Sequence, residues 1–140
     1  MSSVKPHSRL MVETGGGETT VDLVTNPGVT PITDPPGLRP PLSVLDLALV
    51  SEGQNSGDAL VATERVAIHV EQLGYRRIWV AEHHNMATVA STSPAVLMAH
   101  LAARTSTIHV GSGGVMLPNH SPLVVAEQFA LLEALHPGRI

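Results

Sequence analysis

The 140-residue chain contains no cysteine, which excludes a disulfide framework, thiolate chemistry and cysteine-ligated zinc. It carries one Trp, one Tyr and one Phe, so aromatic rings cannot make up its core. Burial falls instead to Val, Leu, Ile, Ala and Met, the palette of parallel strands covered by helices. Lys and Arg number eight against twelve Asp and Glu, and the eight are scattered. Nucleic-acid binding calls for a clustered basic surface and is not expected. No apolar run approaches the ~18 residues of a membrane span. Lys5 and Arg9 are not followed by an apolar h-region, so neither membrane insertion nor a secretory leader is expected. The lack of cysteine agrees with a reducing cytoplasm, the expected location.

What is present divides near residue 41. Residues 1–41 hold seven of the eleven prolines and the Gly15-Gly16-Gly17 run, and they show neither a 2- nor a 3.6-residue period. Pro35-Pro36 and Pro40-Pro41 favour extended, unpaired backbone. This segment is expected to be a disordered leader, with the folded domain spanning 42–140.

From Leu42 the pattern is regular. Leu45–Val50 predicts a first strand, and a helix follows with apolar positions Ala59, Ala62, Val66, Val70 and Leu73, stopped by Gly74. Ile78–Ala81 predicts a second strand. Its helix opens at Ser93-Pro94, with Ser as N-cap and Pro at the first helical position, and Met98, Leu101 and Ala102 face inward. Ile108–Gly111 predicts a third strand, and Ser121-Pro122 repeats the helix start ahead of Val125, Ala126, Phe129, Leu132 and Leu135. Three strand–helix units of about 30 residues each imply an α/β fold with a parallel sheet. The first strand–helix loop, Ser51–Gly57, lacks the G-x-G-x-x-G of a nucleotide-binding open sheet. That favours a closed barrel over a doubly wound sheet, although spacing alone leaves both.

Parallel barrels keep their chemistry where strands hand over to loops at the C-terminal face. Two such places carry chemistry-bearing residues. Glu82-His83-His84-Asn85 follows the second strand, where a histidine can act as acid or base near neutral pH; the plain alternative is a polar strand end. Adjacent strand residues point to opposite faces, so His83 and His84 cannot easily share one ion, and no metal site is expected. Gly111-Ser112-Gly113-Gly114 follows the third strand and either admits a flat ligand close to the backbone or serves as a flexible turn. His69, His100 and His109 are expected to be structural, and His120 stays open between the two roles.

In their order along the chain, these segments resemble the bacterial-luciferase-like flavin monooxygenases. The resemblance runs from Leu45-Asp46-Leu47 through Gly74–Met86 and Val110–Pro122 to Leu135–Ile140. It implies the first three βα units of a (β/α)8 TIM barrel that binds FMN at its mouth. It further implies an oxidoreductase in which reduced flavin and O2 oxygenate a small organic substrate, with water kept out. An F420-dependent oxidoreductase of the same fold, or a non-catalytic truncated product, are the alternatives. Glu82, His83 and His84 are implied as catalytic, with His83 nearest the flavin ring. Gly113, Gly114, Val115 and Met116 are implied to bind the cofactor, with a cis peptide at Gly113-Gly114. Homo-oligomers are expected of intact relatives. Typical barrels need ~250 residues, so this chain is expected to be an N-terminal part that is inactive alone.

Overall fold

The computed structural model describes residues 40–140, together with the backbone of two strands nearer the N-terminus. Strands β1 (Arg9–Thr14) and β2 (Gly17–Asp22) pair antiparallel, in register from Arg9↔Asp22 to Thr14↔Gly17. Both strands fall within the segment 1–41 that the sequence set apart. Each strand contains a short β-favouring run, Leu10-Met11-Val12 and Thr19-Thr20-Val21, and Gly15-Gly16 between them is the composition that two-residue hairpin connections favour. The other positions before residue 40 lie outside the described residues. The compact unit that follows begins at Pro40, two residues ahead of the expected break.

That second unit runs β3 (Ser43–Asp46), α1 (Ser56–Gln72), β4 (Arg77–Val80), α2 (Pro94–Arg104), β5 (His109–Ser112) and α3 (Pro122–Leu135). A single 3-10 turn, Leu117–Asn119, precedes α3. Strand β3 ends four residues earlier than its apolar run suggests. The Asp46 carboxylate turns back to accept the Ala48 N–H at 2.6 Å, and Ala48 takes a left-handed φ of 50°, which breaks the strand. Helix α1 starts on a capping box in which the Asn55 side chain accepts the Asp58 N–H and Asp58 accepts the Asn55 N–H. It stops as expected at Gly74, whose φ is +77°. There the Gly74 N–H reaches the Glu71 carbonyl and the Tyr75 N–H the Val70 carbonyl, the pairing of a Schellman motif. Helices α2 and α3 start at Ser93-Pro94 and Ser121-Pro122 as expected, although neither serine side chain makes a capping hydrogen bond.

The sheet is parallel, in the order β3-β4-β5. Its two faces differ. Ile78, Val80 and Val110 point to one side and are fully buried with Ala67 and Val70 of α1, Leu97, Met98, Leu101 and Ala102 of α2, and Leu132 of α3. The other side carries Ser43, Arg77 and His109 in one register row and Leu45, Trp79 and Gly111 in the next, with Leu45 55% exposed. All three helices therefore cover the same face. Beyond α3 the chain returns to the outer edge of β5, where the Arg139 carbonyl accepts the Val110 N–H at 2.7 Å. An incoming strand placed beside β5 continues the sequential order of a barrel wall; a doubly wound sheet would send it past β3.

Two helix stripes differ in detail from the periodicity. The buried side of α1 is Ala59, Thr63, Ala67 and Val70, one position on from Ala62 and Val66 in its middle. Thr63 is tolerated there because its hydroxyl donates to Asp46 at 2.8 Å. On α3 only Leu132 is buried; Val125 and Phe129 are half-buried, and Ala126 and Leu135 are exposed. That helix has α2 on one flank alone.

Candidate functional site

The C-terminal ends of β4 and β5 hand over to two loops, 81–93 and 113–121, and the groups with chemistry meet between them. Glu82 lies two residues past β4, with its side chain 1% exposed. Its Oε2 accepts the backbone N–H of Met116 at 2.7 Å. Its Oε1 faces two imidazoles, His84 Nε2 at 2.6 Å and His120 Nε2 at 2.7 Å. Burial pushes the Glu82 carboxyl up, but the hydrogen bonds from His84, Met116 and His120 outweigh it and lower it from 4.5 to about 2. The group is an ionised acceptor that ties the two loops together.

His83 lies between Glu82 and His84, so its side chain leaves the extended backbone on the opposite side. Its N–H donates to the Ser91 carbonyl at 3.0 Å, while its Nδ1 is buried and has no hydrogen-bond partner. A buried orphan of this kind is uncommon in a folded protein and points to a missing polar neighbour. The loop that carries it is braced by the segment after β3: Ala90 N–H donates to the Ala48 carbonyl and Val50 N–H to the Thr88 carbonyl, both at 2.9 Å.

The glycines after β5 have separate reasons. A Cβ on Gly111 would lie 2.5 Å from Trp79 Cζ3, and one on Gly113 would lie 2.8 Å from Leu45 Cδ1 and 3.1 Å from Trp79 Cβ. These two are glycine because the inner-face Trp79 and Leu45 occupy the space. A Cβ on Gly114 would meet nothing within 4 Å, so the surface opens at that point. The cis peptide expected at Gly113-Gly114 is absent; all peptide bonds among the described residues are trans. Gly113 N–H donates to the Val80 carbonyl at 2.7 Å, which extends strand pairing one residue past β5. Val115 is half-buried, and Met116 contributes its backbone N–H while its side chain stays exposed.

Of the residues singled out in the sequence, the structure thus joins Glu82, His84 and Met116, and it sets His83 apart. It adds His120, which sequence reasoning left undecided. The contact that recruits it spans 38 positions, so no local pattern announces it. The three histidines expected to be structural stay outside. His69 is exposed, His100 pairs with Glu64 on the helical face, and His109 stands on the inner face of the sheet.

Residues 41–140 match the family described as luciferase-like monooxygenase. A luciferase-like monooxygenase of Escherichia coli strain K12 is 55% identical over 98 residues, which cover 70% of this chain and 29% of that protein. The crystal structure of apo-MsnO8 superposes with a TM-score of 0.70 at 48% identity, covering 71% of this chain and 30% of that one. The oxygenating constituent of 3,6-diketocamphane monooxygenase from Pseudomonas putida, a type II Baeyer–Villiger enzyme solved with FMN, shares the fold with a TM-score of 0.66 at 18% identity. It is covered over 27% of its length, and 71% of this chain takes part. The chain spans under a third of each of these proteins.

Proposed function

Because this chain belongs to the luciferase-like monooxygenase family, we propose that it contributes the first part of a flavin-binding barrel mouth to a monooxygenase acting on a small organic substrate with O2. The observation that carries this reading is the orphaned, buried Nδ1 of His83 at the C-terminal face of a barrel wall. A polar ring edge of a flavin would supply the partner that atom lacks. The surface open over Gly114 and the bare inner face at Leu45 and Trp79 suit an extended, flat, largely apolar ligand. When bound, the flavin supplies the redox chemistry. His83 holds or accepts a proton beside it, the apolar row keeps water away, and Glu82 and His84 fix the two loops.

FMN is the proposed cofactor, since a monooxygenase of the same fold was solved with it; none of the relatives named above favours F420. Self-association and a cytoplasmic location belong to the same proposal. Equilibrium dialysis of the folded chain against FMN and F420 tests it. Saturable FMN uptake, weakened about three- to tenfold by His83→Ala through loss of one hydrogen bond, is expected. Retention of F420 alone, or of neither, would overturn the assignment.

A further inference from the structure

We propose that Glu82, His84 and His120 form a binding site for one divalent transition-metal ion of the zinc, nickel or copper kind. The three ligand atoms all lie within 4.8 Å of one another, and no second trio of His, Asp and Glu converges in this way among the described residues. The donor set of two imidazole nitrogens and one carboxylate oxygen matches borderline divalent transition metals; Mg2+ and Ca2+ prefer oxygen alone.

Three features distinguish the cluster from a chance meeting of polar groups. The carboxylate is fixed from behind, because Oε2 is held by the Met116 N–H while Oε1 stays directed at both imidazoles. Ligating carboxylates are anchored in this way by their outer neighbours. Both histidines turn the same atom, Nε2, to the one carboxylate oxygen, Glu82 Oε1. Their side chains are 42% and 26% exposed, so an ion has a path in and water can complete its shell. The adjustment needed against Glu82 is small. Ligand atoms around a tetrahedral Zn2+ stand roughly 3.3 Å apart, given bonds of about 2.0–2.1 Å. Each imidazole must therefore retreat by about 0.6 Å from its present 2.6 or 2.7 Å to Oε1. Both sit on loops with solvent on one side. A ligating imidazole must present an Nε2 free of a proton, so acid competes with the ion.

The site does not depend on the flavin assignment, and its test reads metal directly. Isothermal titration of the chain with ZnCl2 should show one saturable equivalent, and Co2+ should give the visible absorption of a nitrogen- and oxygen-bound ion. His84→Ala and His120→Ala alter exposed or half-exposed residues and should keep the fold; each should weaken Zn2+ more than about tenfold. Glu82→Gln, checked for folding by circular dichroism, should do the same. Equal affinity in the His84→Ala/His120→Ala double variant would place the ion on other histidines and overturn the proposal. So would the absence of a saturable equivalent in the unsubstituted chain.

Discussion

Glu82 shows how one side chain can be both buried and charged. Its carboxylate loses water, yet two imidazoles and a backbone N–H take the place of the water hydrogen bonds. Its folded pKa of about 2 lies below the ordinary 4.5. The stability it contributes is therefore complete above about pH 5 and lost as the pH falls through 4.5 toward 2. Glu82→Gln should cost about 2–3 kcal/mol at pH 7, measured by urea unfolding, and the two proteins should converge near pH 2. A gap that persists at low pH would show that the charge is not the source. Gly111→Ala tests a second single-residue claim. A methyl 2.5 Å from the Trp79 ring must displace it, with an expected loss of about 1–3 kcal/mol. Trp79→Leu in the same chain should return part of that loss, which a double-mutant cycle reads directly.

Between elements, the turn that joins α2 to β5 is held from both sides. Glu71 Oε1 of α1 accepts the N–H groups of Ser106, Thr107 and Ile108. Arg139 donates to the carbonyls of Ala102, Thr105 and Ile108 and to the Thr105 hydroxyl. Burial pushes Glu71 up, but the Ile108, Thr107 and Ser106 N–H groups hold it below its ordinary value, so this brace also weakens in acid. Arg139→Ala should destabilise by about 2–3 kcal/mol, and Arg139→Lys should recover little, because an ammonium cannot span the fork of acceptors. Thermal melts of both variants decide this. Much at this scale was legible in the sequence. The Ser-Pro helix starts, the Gly74 stop and the Met98-Leu101-Ala102 face follow from local chemistry. Thr63 did not, since its burial depends on Asp46 from another element, and neither did α3, whose apolar stripe has too few partners to bury it.

For the molecule as a whole, the one-sided covering of the sheet governs behaviour. The order of units and the two loops that carry chemistry could be read from the ~30-residue rhythm, whereas His120 could not, being brought in by tertiary contact. Leu45 and Leu49 near the sheet, and Leu123, Leu131 and Leu135 on α3, are large apolar side chains open to solvent. Apolar exposure on this scale favours association. The purified chain should bind an exposed-hydrophobe dye and sediment as more than a monomer at micromolar concentration. Adding the remaining strands of a close relative in trans should suppress both. Dye binding unchanged by that addition would mean the open face is not what the rest of a relative's barrel wall covers. The inner face also has a built-in optical probe. Trp79, the chain's sole tryptophan, lies against Gly111 with the Arg77 guanidinium 4.7 Å from its ring centre. Its emission colour and quenching therefore report one spot only, and they register in real time whether that surface faces water, ligand or protein.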